Sequence, residues 1–124
     1  MDDRSPIAVW FEIPATDFDR AARFYEKILG ITLRREAVGP MTLGVFPFRE
    51  PNASGCIMSR PGLAPTGGGT IVYLNADGML DKAIAAAPEA GGEVLTPVTE
   101  LPEGLGRFAH LRDTEGNRVG LHAA

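Results

Sequence analysis

The 124-residue chain is 44% hydrophobic and 23% charged, enough apolar material for one globular domain with a real core. Its net charge of −4 argues against a nucleic-acid backbone or an anionic membrane as the main partner, because both attract basic surfaces. The opening "MDDRSPIAVW" has no long apolar run, which predicts neither a signal peptide nor a spanning helix and hence a cytoplasmic protein.

A single cysteine, Cys56, cannot close an internal disulfide and agrees with a reducing compartment. On a predicted strand with no histidine beside it in sequence, it reads as a small buried apolar residue rather than a nucleophile. Fifteen glycines and ten prolines predict many turns, as a protein of short strands needs.

In chain order, Ile7–Pro14 alternates and is rich in β-branched and aromatic residues, so it reads as a strand. Thr16 or Asp17 caps a helix by accepting from a free first-turn amide. Phe18, Ala21, Ala22, Tyr25, Ile28 and Leu29 recur along it at helical spacing, and Gly30 ends it. The apolar runs Ile31–Ala37, Met41–Phe48 and Gly55–Arg60 follow, separated by the turn sequences "VGP" and "REPNAS". After "RPGLAPTGGG" the order begins again. Thr70–Asn75 reads as a strand; Leu80, Ala83, Ile84 and Ala87 mark a helix face that Gly91–Gly92 stop, with Pro88 distorting the last turn. Then come "EVLTPVTEL", "GRFAHLR" and "NRVGLHA", the last two joined by "DTEGN". Laid without gaps, Val9–Ala21 sits over Ile71–Ala83. Two βαβββ units in succession suggest duplication of a half-domain: one domain over residues 1–124, with modules at 5–60 and 70–124 and a linker at 61–69. The "PTGGG" in that linker is a hinge, since no Lys-Ser/Thr follows to cradle a phosphate and a strand comes next.

With "IPATDFDRAARFYEKILG" opening the first half and "DTEGNRVGLH" closing the second, the chain resembles the glyoxalase/bleomycin resistance protein/extradiol dioxygenase group, the vicinal oxygen chelate superfamily. It looks most like small single-domain bacterial members related to lactoylglutathione lyase. The resemblance implies an α+β fold in which two tandem βαβββ modules form curled mixed sheets around a cavity, helices outside. It also implies a homodimer in many members, some with halves exchanged. Metal-dependent members hold a divalent ion with His and Glu from four strands. Carried over, those positions fall at Trp10, near Met58, at Ile71 or Val72, and at Gly120. Indole, thioether, aliphatic chain and bare glycine cannot replace imidazole and carboxylate, so neither metal nor other cofactor is expected.

Alternation puts Ala8, Trp10 and Glu12 on the inner face of the first strand and Val9, Phe11 and Ile13 under the helix. On the fifth strand it sends Ile71, Tyr73 and Asn75 inward. A turn centred on Glu115 pairs His110 with Gly120 and His122 with Phe108, so that both imidazoles share one face. They would then be close enough to join Glu12 or Tyr73 in a displaced metal site. The expected ligand-binding set is Trp10, Phe46, Met58, Tyr73, Asn75, Phe108 and His122, with Glu12 and His110 as the acid–base candidates. Two functions follow. One is metal-free binding of a small, partly apolar molecule; the other is a metal-independent isomerase, lyase or epimerase in which Glu12 or His110 moves a proton. A metal-dependent lyase or dioxygenase would need ligands that the chain lacks at the family positions.

Overall fold

A computed structural model describes residues 8–49 and 54–124; Ile7 and most of the "REPNAS" turn lie outside them. Strand β1 (Glu12–Pro14) leads into helix α1 (Phe18–Leu29), whose start is set by Asp17: its side chain accepts from the Arg20 N–H at 3.1 Å. Gly30 ends the helix in the left-handed conformation (φ 65°), donating its N–H to the Glu26 carbonyl. Strands β2 (Arg34–Val38), β3 (Met41–Val45) and β4 (Cys56–Ser59) complete the first module. The second repeats it with β5 (Tyr73–Asn75), α2 (Leu80–Ala86), β6 (Glu93–Glu100), β7 (Arg107–Arg112) and β8 (Arg118–Ala123). The sheet orders are β1-β4-β3-β2 and β5-β8-β7-β6, each with one parallel pair at its inner edge. The duplicated order read in the sequence is thus the observed topology, and neither sheet closes into a barrel.

Several elements are shorter than the pattern predicts: β3 ends at Val45 rather than Phe48, and β5 begins at Tyr73 rather than Thr70. The β1–β4 ladder begins only at Glu12 and Cys56, so residues before Glu12 have no strand register there, and Val9, expected under the helix, is 64% exposed. Helix α2 stops at Ala86, with Pro88 just past its end. In β6 the register slips between Thr96 and Thr99; Pro97 lies inside the slip, where a residue without an N–H is tolerated.

One core unites the modules. Phe24, Tyr25, Ile57, Leu80, Leu111 and Leu121 are essentially inaccessible and belong to one cluster between the helices and the outer faces of both sheets. Phe24 stands where helical spacing places it, although the apolar stripe read from the sequence omitted it. The turn between β7 and β8 fastens the second module to the first. Buried Asp113 accepts from the Tyr25 hydroxyl at 2.6 Å and from the Asn117 amide group, while that same Asn117 group donates to the Pro14 carbonyl at 2.7 Å. Glu115 accepts from the backbone amides of Thr16 and Asp17 and from Arg20. A carboxylate from one half therefore sits on the helix N-terminus of the other, where the helix dipole favours negative charge. These bonds tie the turn between β7 and β8 to the end of β1 and the start of α1. No helix among the described residues is long and apolar enough to cross a membrane.

Candidate functional site

The inner face of the second sheet carries one continuous row. Register aligns Tyr73 on β5 with Gly120 on β8, Gly120 with His110 on β7, and His110 with Thr96 on β6. The next row contains Asn75, His122 and Phe108. The pairing of His110 with Gly120 and of His122 with Phe108 is the one that the "DTEGN" turn predicts. Gly120 is required by close approach: a Cβ there would fall 2.3 Å from a Tyr73 ring carbon, so the ring lies directly against the bare backbone. Tyr73, Phe108 and His110 form an aromatic cluster with ring centroids 5.3–6.3 Å apart.

Hydrogen bonds lock this cluster. The Tyr73 hydroxyl is 2.6 Å from His110 Nε2, Arg118 Nε donates to His110 Nδ1 at 3.1 Å, and Arg118 Nη2 donates to Thr96 Oγ1 at 3.2 Å. A guanidinium can only donate, so His110 Nδ1 carries a lone pair and the neutral ring holds its proton on Nε2. Partial burial, and secondarily the charge of Arg118, keep the His110 pKa below its ordinary value, which favours this neutral form. Both ring nitrogens are therefore engaged. His122 is committed separately: its Nε2 lies 2.7 Å from the Leu105 carbonyl, an acceptor that requires the proton on that nitrogen.

Three cavities meet at Tyr73. One of 320 Å³ lies between the modules and includes Phe11, Phe46, Asn75 and Met79 in its wall. A second of 210 Å³ is bounded by Tyr73, Leu101, Phe108 and His122, and a third of 310 Å³ by Tyr73, Asn75, Asp77 and His122 among others. The first two have the apolar lining with few polar groups that is usual in a small-molecule site, whereas Asn75, Asp77 and His122 make the third polar.

The inner face of the first sheet is different. Met58 is buried in a closed cluster with Val45 and Cys56, against which Met41, Leu43 and Leu63 pack. Burial pushes the Cys56 thiol up to about 11, the Glu12 carboxylate adds to this, and a hydrogen bond with Trp10 offsets it only in part, so the thiolate is absent at neutral pH. Trp10, 46% exposed, lines none of the three cavities around Tyr73. Glu12 borders a 90 Å³ pocket between the modules together with Thr66, Asn117 and Arg118. The sequence-derived residues thus divide. Tyr73, Asn75, Phe108, His110 and His122 come together, Phe46 joins them from across the 320 Å³ cavity, and Trp10, Glu12 and Met58 lie apart from them. Arg118 and Thr96 escaped the sequence reading; counting back by two from Gly120 along β8 would have put Arg118 on the same face.

The family's ion does not fit these residues. Trp10, Met58, Ile71 or Val72, and Gly120 offer no hard or borderline donor, and the Tyr73 ring fills the space beside Gly120. The displaced alternative meets a similar obstacle, since His110 has no nitrogen free for a metal. Among the described residues, no group of three or more His, Cys, Asp or Glu side chains is disposed to hold one.

Comparison with known proteins agrees with this architecture. Residues 7–121 match the model of the Glyoxalase/Bleomycin resistance protein/Dioxygenase superfamily. A glyoxylase-like domain-containing protein of Didymella fabae is 34% identical over 112 residues, covering 86% of this chain and 84% of its own. Among solved structures, the antibiotic-binding protein TnmS3 from Streptomyces sp. superposes with a TM-score of 0.70 at 23% identity over 98% of both chains. A glyoxalase I mutant from Zea mays gives 0.68 at 22% identity over 93% of this chain, which spans 45% of the maize chain. The chain belongs to the glyoxalase/bleomycin resistance protein/dioxygenase superfamily.

Proposed function

We propose that the protein binds a small, partly apolar molecule in the cavities around Tyr73, without the family's metal centre. The observation that carries this reading is the Tyr73 ring lying against Gly120, at the position where metal-dependent relatives are expected to supply a carboxylate. An aromatic wall replaces a ligand for the ion, and Phe108, Leu101 and Phe46 extend it. Aromatic surfaces of this kind provide most of the contact energy in small-molecule sites. The similarity in fold to TnmS3, described as an antibiotic-binding protein, is in keeping with sequestration.

The alternative, metal-independent proton transfer, would rest on Glu12. His110 already carries its proton on Nε2 and accepts from Arg118 at Nδ1, so it has no free lone pair with which to act as a base.

A thermal-shift screen of aromatic natural-product-sized molecules, run with and without EDTA, tests the reading. Ligands that bind the native state raise the melting temperature according to their concentration relative to Kd. Hits unaffected by EDTA and weakened in a Tyr73→Ala variant are expected. Hits that appear only after Zn²⁺, Ni²⁺, Mn²⁺ or Fe²⁺ is added would overturn it.

A further inference from the structure

Resting on the binding reading above, we infer that Thr96, Arg118 and His110 form a relay that turns the Tyr73 hydroxyl into a fixed hydrogen-bond donor for a carbonyl oxygen of the ligand. The argument is one of donors and acceptors. Arg118 has only donors, and it spends Nη2 on Thr96 Oγ1 and Nε on His110 Nδ1. This leaves the His110 proton on Nε2, 2.6 Å from the Tyr73 oxygen, so in that bond imidazole donates and phenol accepts. The phenolic proton is then released from the protein. Tyr73 is about half exposed and its bond to His110 lies at the exposed surface, so that proton is open to a ligand packed against the ring. If the tautomer were reversed, the phenol would donate to His110 and offer a ligand only lone pairs.

A second group beside it has the same polarity. Asn75, one alternation along β5 and in the wall of two of the cavities around Tyr73, has one of its two Oδ1 lone pairs taken by the Asp77 N–H at 2.9 Å, and its Nδ2 hydrogens can donate. These two neutral donors, with the Arg118 guanidinium held behind His110, favour an oxygen acceptor on an apolar frame, while His122 Nδ1 and Asp77 are the acceptors in the adjoining cavities. The ligand class is an aryl ketone, a quinone or a similar conjugated carbonyl compound. Arg118, His110 and Thr96 act as positioning residues, because none of them lines these cavities.

The test pairs a ligand measurement with one that needs no ligand. Nitrogen-15 NMR of the imidazoles reads the His110 tautomer directly. The Nε2–H form is expected in the wild type, and loss of the single-tautomer signature is expected in Arg118→Met. A His110 ring protonated on Nδ1 in the wild type would overturn the relay. Affinities for 2-acetylnaphthalene and for 2-ethylnaphthalene, which lacks the acceptor, are then compared by calorimetry. The wild type is expected to prefer the ketone by roughly fivefold, the value of one neutral hydrogen bond. The preference, read as the ketone-to-hydrocarbon affinity ratio within each variant, should fall most in Tyr73→Phe and less in Arg118→Met. Equal binding of the two probes by the wild type would sink the donor assignment and leave the binding site standing. Failure of both to bind up to their solubility limits would overturn the binding site and the donor's role together.

Discussion

Replacing Glu115 by Gln should loosen the attachment of the second module to the first helix, with an effect that depends on pH. The Glu115 side chain is inaccessible to solvent. It accepts from Thr16 N–H (2.9 Å), Asp17 N–H (2.8 Å), Arg20 Nε (2.7 Å) and the Thr114 hydroxyl (2.9 Å). Burial alone would raise its pKa. The Arg20 guanidinium, the Asp17 amide and the Thr114 hydroxyl outweigh burial and hold the carboxyl at about 2 instead of its ordinary 4.5. At 1.36 kcal/mol per pH unit that difference caps the contribution of ionisation at about 3 kcal/mol. Because Arg20 is 47% exposed and its attraction is screened by water, about 2 kcal/mol is the working figure. The Gln amide also turns N–H groups towards the Arg20 and Thr114 donors. For a chain of this length a loss of about 2 kcal/mol lowers the melting temperature by roughly 6–10 °C. Since the folded carboxyl is the more acidic one, its stabilisation is complete above pH 4.5 and fades as pH falls through the window down to 2. Urea denaturation of both proteins at pH 7 and pH 3 should therefore show a gap of about 2 kcal/mol that shrinks by roughly half at the lower pH. An equal gap at both pH values, or none at pH 7, would refute the idea that an ionised Glu115 clamps the modules.

Gly120→Ala should force the Tyr73 ring off the sheet and break its bond to His110, at a cost of about 1–3 kcal/mol in denaturation; a loss below about 0.5 kcal/mol would mean that neither the ring nor its hydroxyl is held in place. With its pKa at about 11 and full burial, the Cys56 thiol should be nearly unreactive to a thiol reagent at pH 8 in the native protein and react promptly in urea; rapid native labelling would contradict its placement. The exposed Val9, Trp10, Tyr73 and Leu105 side chains and the unpaired edges of two open sheets predict a homodimer. Light scattering that finds only a 13.2 kDa species at micromolar concentrations would remove that expectation.

The duplicated architecture was legible because it depends on periodicity and turn chemistry, which are local. Asp17, Gly30 and the "DTEGN" turn mark boundaries that the structure keeps, and that turn alone predicted the pairing of His110 with Gly120. The site was legible only in part. Alternation gave the face of each residue but not what lies opposite, so Met58 and Tyr73 looked equivalent until Leu63 was found packed over one and open space beside the other. Arg118 went unnoticed because an arginine beside a turn reads as a solvated charge, whereas its role comes from two acceptors on neighbouring strands. The fastening by Asp113, Glu115 and Asn117 links residues about 100 positions apart, and no local pattern carries that information.

The most direct test of the binding reading is NMR shift mapping during titration with 2-acetylnaphthalene. Progressive changes concentrated at Tyr73, Asn75, Phe108 and His122, with their neighbours on β5, β7 and β8, are the predicted result. Changes centred instead on the pocket of Glu12, Thr66 and Asn117, or on no contiguous set of residues, would contradict it.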